Sequence, residues 1–252
     1  GQQFISDFAE AYGSGLSYMP QQYLPDTYPP MHPSFVGIRA TEMDSYLRSN
    51  FEGKADISRA FLSEWLACIA LQNNFQGTNY NVFLAPPQLE IGGGGHSGMD
   101  LVLSEQQENN DQELLLGINI KLKRIKTRRN YEVHKFDPRI AAPFCHLSLG
   151  DWQIPTREYE SIGIRPWINE YVAPNILKTG KIPYLPEFQQ YLTEKISQTL
   201  SHFEYKVRGV RERKYEPSPK ETHLLPQAKE DLDAFYEKLC RVDSLFKVLV
   251  TQ

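Results

Sequence analysis

Cysteine is scarce in this 252-residue chain, long hydrophobic runs are missing, and neither charge sign dominates. The three cysteines, Cys68, Cys145 and Cys240, lie far apart, and no pair has zinc-ligand spacing. An odd, scattered set reads as reduced thiols filling small apolar sites, which excludes a disulfide scaffold and fits a cytoplasmic protein. No apolar stretch approaches the roughly 18–20 residues that span a bilayer, so no membrane association is expected, and no secretory leader is visible. His32, His134 and His146 show no metal-ligand spacing. The glycine run "GGGGHSG" at 92–98 lacks the Gly-Lys-Ser/Thr ending of a phosphate-binding P-loop, and its His96 reads as an exposed loop residue.

The composition that remains, 40% apolar and 23% charged, is that of a globular protein long enough to bury a sizeable core. A net charge of −4 excludes a uniformly basic surface, but the charge is unevenly spread. "KLKRIKTRR" at 121–129 holds six basic residues and no acid, and "KVRGVRERK" at 206–214 holds five with one acid. Two basic patches on an acidic chain suit a nucleic-acid groove; a solvated strand end and a charged loop are the plainer explanation.

One domain over 1–252 is expected, in three parts. An N-terminal arm and wrap covers 1–50, and its five prolines between 13 and 37 prevent a continuous helix. Its tyrosines and Phe35 suit it to lie extended over the core. The core occupies 51–150. "DISRAFLSEWLACIALQNN" from Asp56 repeats apolar residues at helical spacing, with Asp56 suited to the cap and Glu64 inside the run. Three extended segments follow: "NYNVFLAPPQLEI", "GMDLVLS" and "ELLLGINIKLKRI". The last two, joined by the polar "SEQQENNDQ", are expected to pair antiparallel. "AAPFCHLSLGDW" is a further strand candidate, while "NYEVHKFDPRI" is ambiguous. The C-terminal part, 151–252, carries two amphipathic helices, over 185–205 and from Pro226 onward. An α/β (α+β) protein results.

Side chains alternate faces along a strand. That puts Met99, Leu101 and Leu103 on one face and Asp100 and Val102 on the other. On the next strand Ile118, Ile120 and Leu122 oppose Asn119, Lys121 and Lys123. If the strands pair, Asp100 comes to lie beside Asn119 and Lys121. Oxygen donors there suit Mg²⁺, and an ammonium beside them suits the orientation of a water for phosphodiester hydrolysis.

The order of helix-borne Glu64, strand-borne Asp100, a hairpin and then Asn119-Ile120-Lys121 resembles the PD-(D/E)xK, or restriction-endonuclease-like, pattern over roughly residues 56–150. That resemblance implies a central mixed sheet flanked by helices and a Mg²⁺-dependent endonuclease acting on DNA, with Mn²⁺ as the substitute ion. It assigns Asp100, Asn119 and Lys121 to catalysis and Asp100, Glu64 and Asn119 to the metal. Lys123, Arg124, Lys126, Arg128 and Arg129 would follow the phosphate backbone. The chain departs from the pattern at Asn119, where a carboxylate is usual, and at Met99, where a proline often stands. Glu90 is a second potential donor. A neutral amide still coordinates through oxygen but contributes no charge. The alternatives are a nuclease-fold protein acting in DNA binding or assembly without catalysis, and an unrelated α/β protein. Restriction-like enzymes are often homodimers, and the apolar face of the last helix suits either an interface or the core.

Overall fold

The computed structural model describes residues 56–86, 98–122, 135–154, 162–172, 185–214 and 228–252, together with positions 19, 23, 89, 174, 175, 178, 216, 217, 225 and 226. The basic residues Lys123, Arg124, Lys126, Arg128 and Arg129 lie outside them, as do Glu90, His96 and most of the arm.

The first helix, α1 (Asp56–Asn74), covers the expected span, and its Leu62, Trp65, Leu66 and Leu71 are buried at helical spacing. Three strands follow: β1 (Tyr80–Leu84), β2 (Leu101–Gln106) and β3 (Gln112–Lys121). They run antiparallel to their neighbours. The β2–β3 turn is built as its composition suggests. Asn110 takes a left-handed conformation (φ 66°), the amide N–H of Gln107 donates to Asp111 O, and the Asn109 side chain accepts from the Asp111 N–H. Short Asx side chains tolerate and close such turns.

The ambiguous segment contains a short strand, β4 (Lys135–Asp137), and β5 (Ala142–Ser148) follows it. The five-stranded sheet has the order β1-β2-β3-β5-β4, with β3 and β5 parallel and the other pairs antiparallel. A separate two-stranded ribbon pairs β6 (Gln153–Ile154) with β7 (Ile162–Gly163). A one-turn helix, α2 (Ile164–Trp167), and a π-helical turn over Ile168–Val172 complete that region.

The two C-terminal helices are longer than the apolar pattern alone. α3 (Pro186–Arg211) starts with proline at its first turn, where the missing N–H costs nothing. It carries Glu187 in the first turn and Arg208 and Arg211 in the last, each matching the helix dipole. Much of the second basic patch is therefore helical rather than a loop. α4 (Lys229–Val250) has Glu230 and Asp231 at its start and Lys247 at its end. Its Phe235, Leu239, Val242 and Phe246 are buried within the core, where α4 packs on α3, so core packing accounts for its apolar face. Among the described residues no helix is long and apolar enough to cross a membrane.

The sheet has two unlike faces. Leu101, Leu103, Leu116, Ile118, Ile120, Cys145 and Leu147 join residues of α1, α3 and α4 in the large core. The other face carries a smaller cluster of Val102, Leu114, Phe144, Met99, Ile140, Leu89 and Met19. Among the described residues the three long helices contribute to the first cluster alone. Met19 reaches the second by donating its backbone N–H to Leu84 O, extending the pattern of β1, and Tyr23 packs nearby. These two positions are where the arm's expected wrap over the core falls within the described residues.

Two details correct the simple alternation. Met99 packs with Val102 in the smaller cluster, not with Leu101 and Leu103, because β2 begins only at Leu101 and Met99 lies in the non-strand approach to it. In β3 the register shifts between Leu103 and Ser104, leaving Leu115 without an opposite residue. That bulge lets Leu115 and Leu116 both enter the large core and turns Leu114 to the other face.

Candidate functional site

Asp100 immediately precedes β2, and its backbone N–H donates to Ile118 O (2.8 Å), which fixes it opposite the Asn119 end of β3. Alternation from Ile118 and Ile120, which face the helices, directs Asn119 and Lys121 to the smaller-cluster side. The two side chains meet there. Asn119 Nδ2 donates to Asp100 Oδ2 (3.0 Å) and to Gly98 O (2.8 Å), and the Ile120 backbone N–H donates to the same Asp100 Oδ2 (2.6 Å). Since both neighbours of Nδ2 are acceptors, the amide orientation is chemically determined. Asp100 and Asn119 are 8% and 1% exposed, so this contact is shielded from competing water.

Lys121 lies beyond it, exposed at the end of β3, while its carbonyl accepts from the Leu149 N–H. Glu64 is buried in α1, within the helix layer against the Ile118 and Ile120 face. The structure thus brings Asp100 and Asn119 together with Lys121 alongside, and it sets Glu64 in the neighbouring layer. Among the described residues no three His, Cys, Asp or Glu side chains cluster as a metal site. The expected set contains only two such residues and an amide.

The sequence set His146 aside for want of metal-ligand spacing. The parallel β3–β5 register pairs Asn119 with His146 and Lys121 with Ser148. His146 leans edge-on against Phe144, whose ring also lies 5.3 Å from the Lys135 ammonium. Burial first, then the charges of Lys121 and Lys135, lower its pKa to about 4, so the imidazole is neutral at neutral pH. Alternation within "APFCHLS" places His146 opposite Cys145 and Leu147 and was readable. That β5 lies beside β3 had no local signal.

Among the described residues two buried polar atoms here lack a hydrogen-bond partner, Asn119 Oδ1 and His146 Nε2. An unsatisfied buried group costs about 1–3 kcal/mol, and two on directly paired residues mark a place that a ligand would relieve. An oxygen donor without a partner fits a hard cation such as Mg²⁺. Asp100 Oδ2, in contrast, already accepts two N–H groups.

No family model matches this chain, and neither a curated protein nor a solved structure matches it.

Proposed function

We propose that the protein is a divalent-metal-dependent nuclease of restriction-endonuclease-like type acting on DNA, with its site where Asp100 meets Asn119 beside Lys121. The observation that carries this reading is the buried Asp100–Asn119 contact at one end of two paired strands, with an ammonium two residues further along the same face. The mixed sheet and its packed helices support the same reading.

Asp100 and Asn119 Oδ1 would hold the ion, which when bound supplies charge neutralisation at phosphate and acidifies a water. Lys121, free of burial, orients a phosphate oxygen and offsets its charge. Asp100 is kept in place by the Ile120 N–H, so its carboxylate needs no rearrangement to act. The Lys123–Arg129 stretch and the basic end of α3 would follow the phosphate backbone.

A second reading has its own observation. The Asn119 amide clasps Asp100 and Gly98 as a structural latch, an arrangement suited to a nuclease fold that binds DNA or assembles without cleaving it. Plasmid, single-stranded DNA and RNA incubated with the chain in Mg²⁺ and in Mn²⁺ separate the two. The expected result is cleavage that falls at least about 100-fold in Asp100→Ala and in Lys121→Ala, with Glu64→Ala run alongside to place that carboxylate. Cleavage that survives both substitutions rejects this site. Salt-sensitive DNA binding without cleavage in any metal selects the second reading.

A further inference from the structure

We propose that Asn119 Oδ1 and His146 Nε2 are ligands of one divalent ion of imidazole-accepting character, for which Mn²⁺ is the probe, with Asp100 adjacent. The inference rests on the site location proposed above and adds a ligand from a third strand and an ion preference.

Both atoms are buried and neither has a hydrogen-bond partner among the described residues. They belong to residues paired in register on adjacent parallel strands, so both side chains leave the sheet on the same face. Such neighbours stand about 5 Å apart at Cα. Two donors each held at roughly 2.1 Å from one ion can close that span. The pair does not satisfy itself, although an imidazole N–H and an amide oxygen are complementary. The same two atoms become complementary to a single third body if both offer lone pairs to it.

The donor types then decide the ion. Mg²⁺ takes oxygen ligands and keeps several waters, whereas Mn²⁺ accepts imidazole nitrogen beside oxygen and the later first-row ions accept it more strongly still. An amide oxygen, an imidazole nitrogen and a carboxylate on three successive strands form a mixed set. With Asn119 contributing no charge, the nitrogen ligand supplies the affinity that a second carboxylate would give to an oxygen-only site. Ser148, paired with Lys121, closes the same side.

Calorimetric titration of the full chain with MnCl₂ and with MgCl₂, without DNA, tests this directly. Mn²⁺ is expected to bind at one site at least about tenfold more tightly than Mg²⁺. His146→Gln is expected to weaken Mn²⁺ by about 10- to 100-fold while leaving Mg²⁺ within about twofold. On the unaltered protein, substoichiometric Mn²⁺ should broaden the His146 imidazole resonances before those of the other histidines, a readout that holds even if the variant does not fold. Equal affinities for the two ions, unchanged Mn²⁺ binding in His146→Gln, or an unbroadened His146 would each overturn the proposal. Tight, His146-dependent Mn²⁺ binding without cleavage keeps this inference and removes the nuclease reading. Mg²⁺-driven cleavage indifferent to His146 does the reverse.

Discussion

Asn119 is asked to do two things with one amide. Its nitrogen side satisfies Asp100 and the Gly98 carbonyl, and its oxygen is buried without a hydrogen-bond partner among the described residues, on the residue paired with His146. Asn119→Asp separates these roles. The carboxylate that restores the usual motif letter would set oxygen against two acceptors and bury a second negative charge. In EDTA the variant should lose about 3 kcal/mol or more, since it breaks a buried charge-assisted contact. Divalent ion should return much of that loss, because an ion at the proposed site would bind the folded form alone. Urea midpoints with EDTA and with Mn²⁺ check it; a variant as stable as the parent in EDTA would show that the latch carries no weight. The Asp100–Asn119 meeting was legible because strand alternation and a short hairpin dictate it. The amide's hydrogen-bond direction was not, since it depends on Gly98 O lying within reach, which is a matter of how the chain enters β2.

Among the elements, β3 holds most of the information. Its alternation is readable from Leu116 onward, and "GINIK" shows it plainly. Further back, three consecutive leucines conceal the phase, and the bulge at Leu115 inverts what simple parity assigns to Leu114. Gly117 in this strand has a specific purpose. A Cβ there would lie 2.6 Å from Met99 Cε and 2.8 Å from Met99 Sδ, with Ile140 Cδ1 at 3.1 Å. Met99 is fully buried, so its flexible end has nowhere open to move. Gly117→Ala should therefore cost about 1–3 kcal/mol by overpacking. Because Met99 adjoins Asp100, it should also lower the affinity of the site for its ion. Denaturant midpoint and metal titration on one sample measure both; an unchanged midpoint would mean that the methionine repacks freely. The helices were easier to read than the strand order. Each long helix carries its own apolar period, and α3 and α4 carry matching end charges, while the placement of β5 between β3 and β4 depends on residues distant in sequence.

Across the molecule, acid should remove stability in two stages. His146 has a folded-state pKa near 4 against an ordinary 6.5, lowered by burial and then by Lys121 and Lys135. The unfolded chain therefore binds more protons in that window, and stability present above about pH 6.5 declines as pH falls toward 4. Asp137 contributes below that. Burial alone would raise its pKa, but hydrogen bonds and charge from Arg139 outweigh burial and lower it from 3.8. Arg139 donates through Nη2 at 2.6 Å and through Nε and its backbone N at 3.0 Å each. Its contribution is thus lost only once pH passes below the ordinary carboxylate range. Metal-free urea midpoints from about pH 7 to about pH 2 should show both stages, and His146→Gln should flatten the upper one. An upper stage that persists in the variant would place the titration elsewhere.

The difference between the sheet's two faces has a kinetic consequence. The helix side joins α1 to α3 and α4 from the far end of the chain, while the described part of the opposite side is drawn mostly from residues 85–144. The opposite side is roofed by Met19 and Leu89, and Arg139 Nη1 tethers the latter through Leu89 O. The helix side closes the longer loops, so it condenses after the more local contacts around β2, β3 and β5. The residues of the face bearing Asp100, Asn119 and His146 are also all synthesised before α3 and α4, which complete the other face.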